Sequence, residues 1–248
     1  MKDLAPAHPR KLSQGLSEAE TLVAVKTLAR FHGSLPGRMK AVSDIPCSQK
    51  DLFCSFLIDI FRAGCRTAKT NFACKFLDYV LEELSVDILL QMYDTAVLSS
   101  NVSVCHGDLW MSNILFPPTS STECTTTPHC YFIDWQFMRV FAGVTDLAFL
   151  LLTSVSHDLR KSRTANFLQL YHTTLLETNP ELGWSYSLKD CTREYETIGL
   201  SFALVQLVAS IGAFDPKQHE VVMRISSALR DGVRAFNLIL PDLTSSSF

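Results

Sequence analysis

One polar stretch, His106 to Asn113, constrains this chain more than any other part of its sequence. It reads His-Gly-Asp-Leu-Trp-Met-Ser-Asn and lies between two short apolar runs, 102–105 and 114–116. A third apolar run, 130–133, ends directly at Asp134. Short apolar runs separated by polar and turn-forming residues predict antiparallel strands joined by loops. The chain is therefore expected to turn back on itself here and to bring two carboxylates and one amide to the ends of a small sheet.

The residue types in these loops indicate phosphoryl transfer from a nucleotide. Asp108 can accept or orient the proton of an acceptor hydroxyl, while Asn113 and Asp134 offer the hard oxygen ligands that Mg²⁺ prefers. Gly107 allows a tight backbone turn beside the reacting group. Each residue alone has a structural explanation, because such turns are common and Asn and Asp often stabilise them. Their combined spacing favours the catalytic interpretation.

The same residues resemble a known family. The stretch from His106 to Asn113, together with Asp134-Trp135-Gln136 and Asp146-Leu147-Ala148, is similar to the motifs of the CHK kinase-like proteins. This group includes the insect ecdysteroid kinases and belongs to the choline kinase and aminoglycoside phosphotransferase superfamily. Trp110 and Gln136 favour this branch of the superfamily and are its signature residues here.

The resemblance implies a role for each motif residue and a set of ligands. Asp108 would be the catalytic base, and Asn113 and Asp134 would bind the metal. The residues that support the loop would be His106, Gly107 and Asp146. ATP and Mg²⁺ would be the cofactors, and the acceptor would be a hydroxyl group on a small compound such as a steroid. The segment Ala29-Arg30-Phe31-His32-Gly33 also resembles a family helix that ends in a phenylalanine–histidine pair.

The implied fold class is α+β and mainly α, namely a protein kinase-like C-terminal lobe with a small β-hairpin sheet at the catalytic site. Met1-Lys2-Asp3-Leu4 resembles the hinge that follows an N-terminal lobe. Residues 1–16 are therefore expected to be a hinge remnant and linker, and 17–248 the C-lobe. No glycine-rich phosphate loop and no strand lysine precede the motif. The expectation is a truncated phosphotransferase that lacks its N-terminal lobe and self-associates through the uncovered face.

Two other functions remain open on the sequence alone. The chain could be a noncatalytic kinase-like remnant or binding module, because losing the elements that cover the nucleotide removes positioning that is worth about 7–11 kcal/mol of the barrier. A metal-dependent hydrolase could use the same carboxylates, Asp108 and Asp134. It would release phosphate without requiring a nucleotide.

Helical periodicity dominates the rest of the chain. Ser17-Glu18-Ala19-Glu20 forms a capping box that starts a helix ending near His32-Gly33. Further helices are predicted over 49–62, 71–97, 146–154, 161–177, 190–213 and 216–238. The uncharged stretch 197–214 contains polar and glycine residues, which favours a buried core helix over a membrane span. The aromatic residues Trp184, Tyr186, Tyr195 and Phe202 are candidates for an acceptor pocket, although core packing is the commoner role.

Charge and cysteine content argue against several classes of protein. The net charge of −3 and the isoelectric point near 6.2 disfavour a nucleic-acid partner. The N-terminus lacks the apolar core of a signal peptide. The eight cysteines include no C-x-x-C pair, so free thiols that pack as small hydrophobic groups are expected rather than a disulfide framework. A cytoplasmic location without a membrane partner is the resulting expectation.

Overall fold

The computed structural model describes residues 11–34, 47–72, 74, 77–99, 101–117 and 128–245. These residues form nine α-helices and four short β-strands, joined by turns. In chain order the elements are α1 (Glu18–Ser34), α2 (Cys47–Phe72), α3 (Leu77–Glu83), α4 (Val86–Val97), β1 (Val102–Cys105), β2 (Ile114–Leu115), β3 (Tyr131–Phe132), β4 (Arg139–Ala142), α5 (Val144–Ser154), α6 (His157–Thr178), α7 (Leu188–Glu194), α8 (Leu200–Ala209) and α9 (His219–Ser245). The expected hinge at Met1-Lys2-Asp3-Leu4 lies outside the described residues.

The predicted capping box starts α1. The Ser17 hydroxyl accepts a hydrogen bond from the Glu20 amide at 3.3 Å, and the Glu20 carboxylate accepts one from the Ser17 amide at 2.9 Å. These two bonds satisfy amide groups that have no partner within the helix itself. The buried face of α1 packs against α6, and its last turn places His32 in the interior.

Helix α8 lies at the centre of the helical body, where α2, α5 and α9 all pack against it. The single helix predicted over 190–213 is divided in the structure into α7, a π-helical turn (Tyr195–Gly199), α8 and a short 3₁₀ turn (Ile211–Ala213). Most side chains of α8 are buried, as the uncharged stretch predicted. Across the described ranges, no helix combines the length and the apolar character that crossing a membrane requires.

The prediction of one helix over 71–97 is wrong. The chain forms α3 and α4 instead, because Ser85 begins a new helix and its hydroxyl accepts a hydrogen bond from the Ile88 amide at 3.2 Å. The apolar stripe continues across the break, since Val80, Leu84 and Leu89 are all buried. Helix α2 also continues to Phe72, ten residues beyond the predicted end at 62.

The strands form two antiparallel pairs that the segment 106–113 connects. Strand β1 pairs with β4, which places Cys105 opposite Arg139, and β2 pairs with β3, which places Ile114 opposite Phe132. Strand β4 was not predicted, because its four residues run almost directly into α5. The loop 106–113 thus leaves one pair of strands and enters the other, so both pairs fix its ends.

The described cysteines behave as core residues. The free and buried ones are Cys54, Cys65, Cys74, Cys105, Cys130 and Cys191. Burial raises the pKa of the Cys54 thiol to about 12 and that of the Cys65 thiol to about 11. These thiols therefore stay protonated near neutral pH and pack as small apolar groups.

Candidate active site

The loop 106–113 begins with a backbone conformation that only glycine adopts without strain. Gly107 has a φ of 82°, in the left-handed region. A Cβ atom at this position would lie 2.1 Å from the Phe137 carbonyl oxygen and 2.6 Å from Arg139 Nη1. Because the first of these atoms belongs to the backbone, a side chain could not be accommodated by a simple rotamer change. The glycine of the motif is therefore required by close packing as well as by its dihedral angle.

Asp108 and Asn113 contact each other within the loop. Asn113 Nδ2 donates to the Asp108 carbonyl oxygen at 2.9 Å and to its carboxylate Oδ2 at 3.2 Å. The backbone amide of Asn113 donates to the Trp110 carbonyl at 2.9 Å and closes the turn between these two residues. Since Nδ2 faces Asp108, the other polar atom of the Asn113 side chain, Oδ1, is the one left for a metal ion.

Partial burial of Asp108 changes its acidity. Removal from water raises the pKa of this carboxyl to about 6, and the negative charge of Asp134 adds to the increase. The hydrogen bond from Asn113 and the positive charge of Arg139 act in the opposite direction. A carboxylate with a pKa of about 6 is mostly ionised at neutral pH and is a stronger base than an exposed aspartate, which suits a general base.

Asp134, the second candidate carboxylate, has a left-handed backbone conformation. It is the one non-glycine residue with positive φ in the described part of the chain, at 63°, and it is exposed. The preceding residue, Ile133, donates its amide to the Asn113 carbonyl at 3.0 Å. Gln136 Nε2 lies 3.5 Å from Asp134 Oδ2. The structure thus brings the two candidate metal ligands onto neighbouring, hydrogen-bonded segments, and their oxygen atoms fit the preferences of Mg²⁺.

His106 joins these two segments through both of its ring nitrogens. Nε2 donates to the Ile133 carbonyl at 2.8 Å, and Nδ1 accepts the Asp108 amide at 3.3 Å. The ring is buried and lies against Trp135, with 4.5 Å between the ring centroids. A neutral ring with its proton on Nε2 satisfies both contacts. These contacts of His106 fix the position of the loop relative to the segment that ends at Asp134.

Asp146, at the start of α5, contacts the beginning of the loop 106–113. Its Oδ2 accepts the His106 amide at 2.5 Å, and its Oδ1 accepts the Gly107 amide at 3.0 Å. Burial alone would raise the pKa of this carboxyl, but the hydrogen bond and charge of His32, the Gly107 amide and the Arg139 charge outweigh burial and lower it. Asp146 therefore remains ionised and holds two consecutive loop amides.

A chain of buried side chains extends behind Asp146, and sequence reasoning assigned it no role. His32 Nε2 lies 3.4 Å from Asp146 Oδ2, and His32 Nδ1 lies 2.7 Å from the Tyr171 hydroxyl. The same hydroxyl accepts a hydrogen bond from Asn101 Nδ2 at 3.1 Å. Tyr171 stays protonated, because burial raises its pKa well above the ordinary value, so its hydroxyl can donate to His32. We call Asn101, Tyr171, His32 and Asp146 the buried relay.

The inner end of the buried relay could also be considered as a metal site. Ligand atoms of His32, Cys105 and Asp146 lie within 4.8 Å of one another. However, both Asp146 oxygens already accept backbone amides, and the Cys105 thiol donates to the carbonyls of Phe141 and Ala142. Burial also raises the pKa of this thiol well above its usual range, which disfavours the thiolate. Hydrogen bonding accounts for the cluster without an ion.

Replacing Tyr171 with phenylalanine is expected to lower the free energy of unfolding by about 1–3 kcal/mol, because the buried nitrogens of His32 and Asn101 lose their shared partner. Urea denaturation measures this change. Tyr79→Phe is the matched control, since Tyr79 is 44 % exposed and is expected to change stability by less than about 0.5 kcal/mol. Equal stability of the two variants would show that the hydroxyl contributes nothing to the relay.

The carbonyl of Gly107 is held by two residues that the sequence did not single out. Gln206 Nε2, from α8, donates to it at 2.7 Å, and Arg139 Nη1, from β4, lies 3.4 Å away. Both residues also line a cavity of about 160 Å³ that opens beside Asp108. Its other lining residues are Phe53, Phe56, Leu57, Ile60, Gly107, Phe137, Phe149, Ala209 and Ser210. A larger groove of about 500 Å³, between α6 and α9, contains none of the motif residues.

The structure also places the remaining candidates. Trp110 packs against Phe214, with 5.5 Å between ring centroids, and Gln136 is exposed beside Asp134. The aromatic candidates for the acceptor pocket, Tyr186, Tyr195 and Phe202, are buried, and none of the three lines the cavity beside Asp108. The side chain of Trp184 lies outside the described residues.

Fold and site together define a kinase-like protein, with a mainly helical body and small antiparallel sheets at the motif. The chain superposes over 98 % of its length on an ethanolamine kinase of Plasmodium vivax, with a TM-score of 0.50 and 13 % identity, and covers 65 % of that chain. The profile of the ecdysteroid kinase-like family matches residues 1–184. The chain belongs to this ecdysteroid kinase-like family, and the resemblance seen in its motif is confirmed.

A relative found by sequence shows the same kind of partial coverage. The chain is 26 % identical over 131 residues to a Caenorhabditis elegans protein named uncharacterized oxidoreductase dhs-27. The match includes 51 % of this chain and 16 % of that protein. The chain therefore spans less than two thirds of the length of each of these two relatives.

Proposed function

We propose that this protein is an ATP- and Mg²⁺-dependent O-phosphotransferase that acts on a hydroxyl group of a small compound, such as a steroid. The observation that carries the proposal is the position of Asp108. Its carboxylate is hydrogen-bonded to Asn113, and the residue lines a mainly apolar cavity. A carboxylate of raised pKa beside such a cavity is suited to act on a hydroxyl group of a bound molecule.

Each motif residue has a distinct task in this proposal. Asp108 orients the acceptor hydroxyl and accepts its proton. Asn113 Oδ1 and the Asp134 carboxylate would hold Mg²⁺. When bound, Mg·ATP supplies the phosphoryl group and neutralises part of the phosphate charge. His106, Gly107 and Asp146 keep the loop in the conformation that aims Asp108 at the acceptor.

The alternative is a noncatalytic kinase-like binding module. Phosphotransferases position the nucleotide with elements besides the motif residues, such as a glycine-rich loop and a lysine. Binding of the nucleotide by this chain therefore separates the two functions.

Calorimetry of ATP binding in the presence of Mg²⁺ tests the proposal. The wild-type chain is expected to bind ATP only when Mg²⁺ is present. Asp134→Asn is expected to weaken that binding about 10-fold or more, because it removes a charge-assisted contact. Asp158→Asn is the matched control, since Asp158 is an exposed carboxylate at the start of α6.

The outcomes of this measurement have different meanings. Equal affinity of the wild type and Asp134→Asn would remove Asp134 from the metal site. Absence of binding by a well-folded wild-type chain would favour the noncatalytic module. Release of phosphate from a phosphomonoester without nucleotide would instead favour the metal-dependent hydrolase.

A further inference from the structure

The cavity beside Asp108 contains few groups that could recognise a polar part of a ligand. The Gln206 amide nitrogen already donates to the Gly107 carbonyl, and the Ser210 hydroxyl donates to the Gln206 carbonyl at 2.9 Å. The rest of the lining is largely phenylalanine, leucine and isoleucine side chains from α2 and its neighbours. The charged groups in the lining are Asp108 and Arg139.

Arg139 is held in the wall of this cavity by aromatic rings. Its guanidinium carbon lies 5.7 Å from the ring centroid of Phe53, 5.0 Å from that of Phe141 and 5.2 Å from that of Phe202. Within the described ranges it forms no ion pair with a carboxylate. An arginine keeps its positive charge at all physiological pH values. The cavity therefore carries a permanent cation, whose charge acts to lower the pKa of Asp108 and of Asp146 without forming an ion pair with either carboxylate.

This cation affects which acceptors can bind. In the proposed reaction Asp108 faces the acceptor hydroxyl, so a second polar group of the same molecule must lie elsewhere in the cavity. Sites for ammonium groups use the open faces of aromatic rings. Here the Arg139 guanidinium lies over Phe53, one of the four phenylalanine rings that line the cavity, so an ammonium group at any of these rings would share the cavity with this cation.

We propose that Arg139 determines the charge class of the acceptor, which is a neutral or anionic alcohol and not a cationic amino alcohol. This inference rests on the proposed function, since it names the acceptor class of the same site. It also separates the chain from the ethanolamine kinase whose fold it shares, because the name of that enzyme describes an amino alcohol as the substrate. Arg139 is here a specificity residue that touches the acceptor and takes no part in proton transfer.

Binding of three matched benzyl alcohols, measured by calorimetry without nucleotide, tests the inference. The compounds carry a methyl, a carboxylate or an aminomethyl group in the para position and are otherwise identical. The wild-type chain is expected to bind the carboxylate about 10-fold more tightly than the methyl compound, and the ammonium compound about 10-fold more weakly. Arg139→Met should reduce both differences to less than about 3-fold, and Arg139→Lys should retain the order.

Control variants separate specificity from general damage. Arg62→Met removes an exposed arginine of α2 and is expected to leave all three affinities unchanged. If Arg139 had a purely structural role, Arg139→Met would lower the affinity for all three compounds equally. That result would overturn the inference. If Arg139→Met does not fold, Arg139→Lys and the wild-type ranking still decide the question.

The inference and the proposed function fail in different ways. Equal or tighter binding of the ammonium compound by the wild type would overturn the charge assignment, whether or not phosphate is transferred. The same holds if none of the three compounds binds. The expected ranking without any phosphorylated product, assayed with Mg·ATP by mass spectrometry, would support Arg139 and count against the phosphotransferase.

Discussion

Replacing Asp108 with asparagine is expected to slow phosphoryl transfer to the acceptor about 10²–10⁴-fold, because the variant cannot accept the hydroxyl proton. The fold should survive the change. Asn113 can still donate to the backbone carbonyl of residue 108, and the substitution removes a partly buried charge, whose desolvation raises the pKa of Asp108. The variant is therefore expected to be at least as stable as the wild type at neutral pH. Initial rates with Mg·ATP and urea denaturation measure the two effects.

The pH dependence gives an independent check on the same residue. Since the pKa of Asp108 is about 6, the wild-type rate should fall as the pH is lowered through 6, where the carboxylate becomes protonated. The residual rate of Asp108→Asn should not show this acid limb. The stability of the fold depends on pH in the opposite sense. Because burial raises the pKa of Asp108, this residue favours the folded chain at low pH, and its contribution is lost as the pH rises through about 6. A wild-type level of activity in Asp108→Asn would remove the base from the mechanism.

Replacing Asp146 with asparagine is expected to lower the free energy of unfolding by about 2–4 kcal/mol. The carboxylate accepts the backbone amides of His106 and Gly107 with its two oxygens. An asparagine side chain has only one oxygen. Its NH₂ group would therefore face either a backbone amide or His32 Nε2, and two hydrogen-bond donors would point at each other. The loop that carries Asp108 would then lose its fixed conformation, and the rate should fall together with the urea midpoint.

The control for Asp146→Asn is Asp59→Asn, in which an exposed carboxylate of α2 is neutralised. That change should cost less than about 0.5 kcal/mol. Acid titration adds a second criterion. Because the folded-state pKa of Asp146 is lowered, its contribution is present above the unfolded-state pKa of about 4 and is lost as the pH falls through the folded-state value. Comparable stability of the two variants at pH 7 would mean that Asp146 does not support the loop.

Much of the site was predictable because its residues are close together in the sequence. His106, Gly107, Asp108 and Asn113 lie within one loop, and local hydrogen bonds between them define its shape. Their family resemblance, now confirmed, also correctly predicted a mainly helical body with small antiparallel sheets. The roles of these residues in binding metal and transferring protons stay predictions that the variants above can test.

The buried relay and the cavity beside Asp108 were not predictable for the opposite reason. Tyr171 lies 139 positions from His32 and 70 from Asn101, and Gln206 lies 99 positions from Gly107. A tyrosine or glutamine on a helix gives no sign of such a partner, because the contact depends on how the helices pack. The phenylalanine–histidine pair at the end of α1 was the one local signal, and it pointed to His32 without indicating Asp146.

Local helix signals had a similar limit. Ser85 resembles many other polar residues on a helix surface until its hydroxyl is seen to bond the Ile88 amide. The apolar stripe continues from α3 into α4, so periodicity could not reveal the break. Strand β4 was hidden because a four-residue strand has too few alternations to stand out beside the apolar α5.

The left-handed backbone of Asp134 has a consequence for how natural variants of this protein can be interpreted. An aspartate with a φ of 63° still meets a steric penalty that glycine avoids, although aspartate adopts this region more readily than most residues do. In a lineage that no longer needed the carboxylate, substitution of Asp134 by glycine or asparagine would be tolerated and would relieve the backbone penalty. An aspartate at position 134 in orthologues would therefore indicate continued selection for the function of the carboxylate. A glycine there would indicate that this function has been lost. The identity of residue 134 thus indicates whether a branch of the family retains the function of this carboxylate.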